Sequence, residues 1–445
     1  MFTRGPLRAL QYPAYRLYLL GMILSFTGTW AQNMAMGWLV YDGLTQDSFK
    51  LAMVTFAGQI PTLLFGLIAG ILVDRYDRRK LIIAAQWVFL VQGLALVYLT
   101  VMRNAQGGPL ITFPMIMALA FLGGMAMCLD QAARVAYVAE LVPAKELSNA
   151  VALSSLAFNG ARIFGPVLAG WLVAQAALYA PSYPALGEGL SFGFNMITNV
   201  FVIGILWWLS FRRLVQPAAH TATASSEPLG VKFRQGFLYL RHRTYLLALM
   251  LFNGAMAVVA IPYLILMPVY AREGLGGDAS TLSHLMASVG VGAILGGVVM
   301  ASRKSIQGLA RHIGFSAFGF SAAVAMAAIT TAPLQACLIM MVAGFFMVMA
   351  MIGSNTLAQV LTHSQYRGRV LALFNISTVG LMPAGSLLMG YLAKATNIQT
   401  AFMACSVLTL AVIGAFSVRL AGLRTMARQS DEYKAAVGEL ETTSS

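Results

Sequence analysis

Three charged residues, Asp130, Arg134 and Arg162, stand inside long apolar stretches of this 445-residue chain. A charge facing hydrocarbon unpaired costs on the order of several kcal/mol, so residues placed this way pair with one another or face an aqueous cavity. Two pairings fit the spacing. Asp130 and Arg134 lie at i,i+4, one helical turn apart. Counting about 1.5 Å per residue from the flanking basic links puts Asp130 and Arg162 at a similar depth, where two helices could join them. Such ions either lock neighbouring helices together or offer a solute a titratable carboxylate beside a guanidinium. A second acid, Asp42, follows Trp38 and Tyr41 at the end of an apolar stretch. The aromatics suit a membrane interface, and the acid is there to be solvated or to titrate. Proton coupling, where the chain uses it, falls to Asp42 and Asp130.

Uncharged polar residues extend the set. Gln32, Asn33, Gln59, Asn159, Asn253, Asn355 and Gln359 interrupt apolar stretches. Residues lining a cavity would do so, and so would residues hydrogen-bonding between helices. The 26 methionines fit an adaptable apolar cavity or ordinary packing. His284 and His363 lie near the ends of stretches, without ligand spacing. Cys128, Cys337 and Cys405 have neither pairing nor metal-ligand spacing, which predicts reduced thiols and no metal. No Walker A string occurs, so the chain brings no ATPase of its own. No clustered acid, base or metal constellation is visible, and the expectation is no enzyme and no cofactor.

The elements that must position these residues follow from composition. The chain is 59% hydrophobic and only 10% charged, with mean hydropathy +0.76, against roughly 25% charged residues in a soluble domain. Apolar runs of 18 or more residues match the length that crosses about 30 Å of hydrocarbon. They predict twelve spans, near 17–40, 50–73, 81–101, 112–133, 148–174, 191–211, 245–270, 280–301, 309–330, 334–360, 366–392 and 399–420. The expected fold is an all-α membrane protein, twelve helices in two six-helix bundles.

Net charge is +14, but the cations sit in short links, which signals topology and not nucleic acid. With the N-terminus cytoplasmic, that side and the tails hold 23 of the 29 Lys and Arg. The opposite side holds only Lys50, Arg103, Arg272 and Lys394. This asymmetry predicts a multi-pass protein of the inner or plasma membrane with both ends cytoplasmic. The N-terminal arm lacks a cleavable leader pattern, so the first span is expected to act as its own insertion signal.

The predicted organisation is a first bundle over 1–211, a cytoplasmic linker over 212–244, a second bundle over 245–420 and a tail over 421–445. Pro217 to Gly230 reads as a flexible segment. After it, Phe233, Phe237 and Leu240 share one helical face while Lys232, Arg234, Arg241 and Arg243 lie elsewhere. That pattern fits an amphipathic helix on the cytoplasmic leaflet, or a plain solvated linker helix. The halves echo faintly: Phe158-Asn159 precedes Gly170-Trp171-Leu172, and Phe374-Asn375 precedes Gly390-Tyr391-Leu392. Parallel repeats of this kind are a transporter arrangement.

Two local motifs sharpen this. The second span ends in Gly66-Leu-Ile-Ala-Gly-Ile-Leu-Val-Asp-Arg-Tyr-Asp-Arg-Arg-Lys80. Gly66 and Gly70 at spacing four predict close approach of a neighbouring helix, and Asp74 leads into a basic turn of Arg75, Arg78, Arg79 and Lys80. Within span five, Gly160-Ala-Arg-Ile-Phe-Gly-Pro-Val-Leu-Ala-Gly170 places Pro166 where it removes a backbone donor and kinks the helix. Gly165, Ala169 and Gly170 keep its packing face thin.

The first motif resembles the loop-two signature of the major facilitator superfamily, G-x-L-x-D-R-x-G-R-[KR]. Gly70, Leu72, Asp74, Arg75, Arg78 and Arg79 match, and Asp77 stands where that family usually has Gly. The resemblance implies a conformational latch formed by Gly70, Asp74, Arg75, Arg78 and Arg79. The second motif is similar to the family's antiporter motif, G-x3-G-P-x2-G-G, with Ala169 replacing one Gly. The string from Asp130 through Arg134 to Glu140-Leu-Val-Pro143 and Asn149-Ala150 looks like the enterobactin-exporter branch, with Ala132 where that branch has Pro. Tyr15-Arg-Leu-Tyr18, Trp38-Leu-Val-Tyr41 and Arg367-Gly-Arg-Val370 extend the likeness over almost the whole chain. It implies proton-coupled export of a small, partly apolar compound, a drug or siderophore, by a monomer whose partners are its solute, protons and membrane lipids. Uptake or facilitated diffusion by the same fold, and a polytopic receptor or membrane enzyme, are the alternatives.

Overall fold

The computed structural model describes residues 7–104, 107–183, 185–211, 229–303, 308–363 and 365–429, with the side chains at 67, 229–233 and 418–429 left aside. Residues 212–228, which hold most of the expected flexible segment Pro217–Gly230, and residues 430–445 of the expected tail over 421–445 lie outside the described residues. Fifteen α-helices follow in chain order. They are α1 (Pro13–Trp38), α2 (Ser48–Arg75), α3 (Arg78–Val101), α4 (Phe113–Leu141), α5 (Leu147–Tyr179), α6 (Leu186–Phe211), α7 (Leu229–His242) and α8 (Thr244–Val259). Next come α9 (Met267–Val269), α10 (Ala279–Ala301), α11 (Leu309–Ile329), α12 (Pro333–Val360), α13 (Arg367–Val379), α14 (Met382–Ala395) and α15 (Ile398–Gln429).

These helices supply the predicted spans; most edges fall within about five residues of the apolar runs, while α4 runs on to Leu141 and α15 to Gln429, past the predicted ends at 133 and 420. Among the described residues, eleven segments are long and apolar enough to cross a membrane. α1 supplies the twelfth span. Its 26 residues reach about 39 Å at 1.5 Å per residue, but Thr27, Thr29, Gln32 and Asn33 dilute its apolarity. Its position explains why it tolerates them: α1 packs between α5 and α6, and half of its residues are buried by protein.

Two spans are interrupted where proline demands it. Span seven runs as α8, a 3-10 turn carrying Pro262, the short α9 carrying Pro268, and a π-turn over Tyr270–Gly274. Span eleven breaks between α13 and α14, just before Pro383. Each proline lacks the N–H that would continue the ladder.

The chain divides into two compact units. One holds residues 1–224 with 276–287, and the other holds 225–275 with 288–445. In the first, α1 lies against α5 and α6, α2 against α4, and α3 against α4 and α6. Small residues set these distances. A Cβ on Gly28 would lie 2.6 Å from both Asn195 Oδ1 and Thr198 Oγ1 of α6, and one on Gly124 would strike the Gly58 carbonyl of α2.

In the second unit α11 packs on α12 and α15, and α8 on α13, α14 and α15. Ser321 and Ser406 donate to each other's backbone carbonyls at 3.0 and 2.9 Å, tying α11 to α15. α7 lies along α13, with Gly236 over Arg369 and Leu373, and the Tyr239 ring stacks on Tyr366 at 4.6 Å. Phe237 and Leu240 do not share one environment: Leu240 is buried and Phe237 is 47% exposed.

The repeat of the halves is clearest at the ends of spans one and seven. Both close in a π-turn, Leu39–Thr45 and Tyr270–Gly274, with the rings of Tyr41 and Tyr270 buried. Both are followed by an aspartate that opens the next helix. Asp47 accepts from the N–H groups of Phe49 and Lys50, and Asp278 accepts from that of Thr281. A side-chain oxygen at this position satisfies a donor that the first helical turn leaves unpaired.

Candidate functional site

α4 carries the acid and the base of the site on one face. Asp130 and Arg134 are each 3% exposed, and Arg134 Nε donates to Asp130 Oδ2 at 2.6 Å. Two further helices hold the pair. Gln86 of α3 donates through Nε2 to Asp130 Oδ1 at 3.0 Å, and Arg134 Nη2 donates to Ser25 Oγ of α1 at 3.1 Å. The Phe26 ring covers the guanidinium, 5.3 Å from its centre. Of the two pairings the spacing allows, the Asp130 carboxylate is therefore engaged by its own-helix partner. Gln86 Oε1 and Tyr137 Oη are buried without a hydrogen-bond partner among the described residues. Tyr18 places its hydroxyl beside the Arg134 guanidinium, and its ring meets Tyr137 edge-on at 5.2 Å.

A wall of aromatics continues from this pair across α1 and α5. Phe158 meets Phe26 edge-on at 5.1 Å and Trp30 at 6.1 Å. Arg162, half-buried on α5, lies over the Trp30 ring at 5.2 Å. Two guanidinium groups thus border one aromatic patch, each attracted by the negative face of a ring.

The glycine–proline segment explains how α5 comes so close. A Cβ on Gly165 would stand 2.5 Å from Trp30 Cβ and 2.8 Å from the Thr27 carbonyl oxygen. Pro166 and Ala169 are buried beside it. Gly170 is pressed against Ser283, on the part of α10 that belongs to this unit.

At the far end of α2, Asp74 and Arg75 are exposed, while Arg78 and Arg79 are half-buried. Arg78 pairs with Glu140 of α4, and Arg79 lies 3.5 Å from Asp77. Asp77 caps α3, accepting from the Lys80 N–H at 3.2 Å. This accounts for an aspartate where the family pattern has glycine, since both are good residues before a helix. The expectation of close packing at Gly66 and Gly70 is corrected: a Cβ on either would meet nothing within 4 Å among the described residues.

The uncharged polar residues separate into two groups. Gln32 is buried and accepts from Asn195 Nδ2 at 2.8 Å, and Asn253 donates to Thr378 Oγ1 at 2.7 Å; both join helices. Asn159 turns back to the Ser155 carbonyl on its own helix. Asn33, Asn355 and Gln359 are exposed, with Gln359 Nε2 3.4 Å from Asn355 Oδ1. Gln59 is half-buried, and its Oε1 has no partner among the described residues. Asp42 lies on the π-turn that ends span one. Cys128 and Cys405 are buried thiols, and Cys337 is half-buried.

Sequence reasoning missed Gln86, Ser25 and Tyr18 as partners of the pair, Glu140 as partner of Arg78, and the buried acid Glu188. Glu140 stood in a string read only for its likeness. Glu188 lay just before the apolar run of span six, where an acid reads as part of a solvated link.

Comparison with known proteins agrees with this geometry. The family model described as transmembrane secretion effector matches residues 4–441. A staphyloferrin A transporter of Staphylococcus aureus is 24% identical over 394 residues, 88% of this chain and 93% of that protein. Macrolide efflux protein A of Streptococcus pyogenes is 22% identical over 258 residues, 58% of each chain. Among solved structures, the nucleoside transporter NupG superposes with TM-score 0.68 at 12% identity, covering 91% of this chain and 98% of that one. A D-xylose–proton symporter gives 0.68 at 17% identity, covering 90% and 95%.

Proposed function

We propose a proton-driven export function from this premise: the chain belongs to the transmembrane secretion effector family of major facilitator transporters. It carries a small, partly apolar compound of drug or siderophore type across the inner or plasma membrane, as a monomer with both termini cytoplasmic. Its two bundles, 1–211 and 245–420, alternate access around the solute. The observation that carries this reading is the buried Asp130–Arg134 pair bordering the Phe26, Trp30 and Phe158 patch. Aromatic rings give a solute apolar surface, and the two guanidinium groups favour one with a negative group.

Asp130 is the group through which proton and solute compete. A solute binds while Asp130 is ionised, donating a hydrogen bond to its carboxylate and laying any acidic group on Arg162. A proton taken up by the carboxylate removes that acceptor and releases the solute. Asp42 serves proton exchange at the opposite end of span one from Arg16. Gly70, Asp74, Arg75, Arg78 and Arg79 form the conformational latch at the cytoplasmic end, and Gly165, Pro166, Ala169 and Gly170 the thin packing face of an antiporter. The staphyloferrin A and macrolide efflux relatives support a siderophore or drug as cargo.

Everted membrane vesicles holding the full chain test this against a panel of dyes, antibiotics and siderophores. Accumulation on energisation, abolished by a protonophore, is the expected result. Accumulation that survives the protonophore would remove proton coupling, and depletion from everted vesicles would make the chain an importer.

A further inference from the structure

α6 opens with an acid that neither motif of the sequence accounts for. Glu188 lies in the first turn of α6, is 4% exposed, and makes no ion pair among the described residues. Its Oε2 has no hydrogen-bond partner among the described residues, and the carboxylate accepts from its own backbone N–H. The glycines on either side press it between helices. A Cβ on Gly187 would collide with Val173 of α5, and one on Gly189 would stand 2.5 Å from Val101 Cγ2 of α3. Thr100, beside Val101, is buried with its hydroxyl also unpartnered.

The charged groups around it are few. The π-turn ending span one brings Asp42, whose charge acts on Glu188, next to the buried Tyr41. α5 brings the apolar Leu172 and Val173. Beyond the end of α3, Arg103 is exposed and lies 4.0 Å over the Tyr183 ring. At the start of α2, Lys50 lies 5.6 Å over Phe113.

Magnitudes decide the protonation state. A helix N-terminus favours an acid by about 0.3–1 kcal/mol. Desolvating a carboxylate that has no cation beside it costs several kcal/mol, and a second acid nearby adds repulsion. A proton removes both penalties at once.

We infer that Glu188 is a proton-binding carboxyl at the end of the first bundle where α1 closes, on the strength of its burial and of the oxygen left without a partner among the described residues. The step is a simple protonation: Glu188 carboxylate takes one proton from water to give a neutral carboxyl, and returns it when water reaches the site. Its place in transport rests on the proton-coupled reading above, whereas the binding of the proton does not.

Infrared difference spectra of the full chain in lipid nanodiscs, recorded across pH without any solute, test it. The expected result is a protonated-carboxyl C=O band near neutral pH. That band is lost in Glu188→Gln and retained, at a shifted frequency, in Glu188→Asp. A band unchanged in Glu188→Gln would overturn the inference, since Glu188 would then be an ion held by the helix end. If Glu188→Gln does not fold, a band whose frequency stays the same in Glu188→Asp overturns it equally. A Glu188 band with export that ignores a protonophore would leave this site standing and remove the coupling.

Discussion

Arg134 and Asp130 meet at 2.6 Å, one turn apart on α4, in a place where each is 3% exposed. α1 and α3 each add one hydrogen bond to this pair, so it joins three helices. Removing one partner should therefore cost more than removing both. A buried ion stripped of its counter-charge costs about 3–5 kcal/mol, whereas apolar replacement of both partners is often close to neutral. Asp130→Asn should lower thermal stability of the purified protein sharply, and Asp130→Asn with Arg134→Met should recover most of the loss. Equal destabilisation by the single and double variants would show that the two charges do not depend on each other.

Gly165 should tolerate no side chain. Its place against Trp30 Cβ and the Thr27 carbonyl leaves no flexible group to move aside. Overpacking of this kind costs about 1–3 kcal/mol. Gly165→Ala should lower the unfolding temperature, and Gly160→Ala, where a Cβ meets nothing within 4 Å, should not. Indifference at Gly165 would mean that α1 and α5 are not held this close.

Asp77 provides a finer test because the family pattern has glycine there. An N-cap aspartate replaced by alanine costs about 1 kcal/mol, but replaced by glycine only a few tenths. Asp77→Ala should therefore destabilise the protein more than Asp77→Gly in denaturant unfolding. The reverse order would assign Asp77 to its contact with Arg79 and not to the cap of α3.

Much of this architecture was legible in the residues, and what was not has a physical reason. The spans were readable because hydrocarbon thickness imposes a length and lipid excludes charge. The same logic singled out Asp130, Arg134 and Arg162. It could not choose between Arg134 and Arg162 as the partner of Asp130, because depth along a helix leaves rotation about its axis undetermined. Gln86 and Ser25 were invisible for the same reason: an uncharged polar residue in a span looks alike whether it faces a cavity, a neighbour or its own backbone. Gly66 and Gly70 misled because small residues report a thin face without saying that anything lies against it. The π-turns at Tyr41 and Tyr270 escaped because no residue type forbids the ordinary α-turn at those positions.

Arg78 and Glu140 join α3 to α4 at the end of the bundle that holds the basic turn. The pair is only partly shielded, so its worth is about 1 kcal/mol, nearer to surface pairs than to buried ones. Arg78→Glu should weaken the protein slightly and transport more, if the basic turn serves as a latch. Arg78→Glu with Glu140→Arg should restore stability. Restored stability without restored transport would show that Arg78 has a second partner during the cycle.

Arg162 carries the most direct consequence for cargo. It lies over Trp30 on the same aromatic patch that Arg134 borders through Phe26. It stands on α5, whereas the partner that holds Asp130 is Arg134 on α4. A hydrogen bond from a charged donor to an anionic solute contributes about 1.5–3 kcal/mol, so its loss should raise the half-saturating concentration roughly tenfold or more. Arg162→Gln should therefore impair export of an anionic compound while sparing a neutral compound of similar size. Trp30→Leu should impair both, because the ring offers apolar surface regardless of charge. Uptake into everted vesicles, measured for a matched anionic and neutral pair, separates these outcomes. Equal losses for both compounds in Arg162→Gln would place the guanidinium in helix packing and leave the solute to the rings alone.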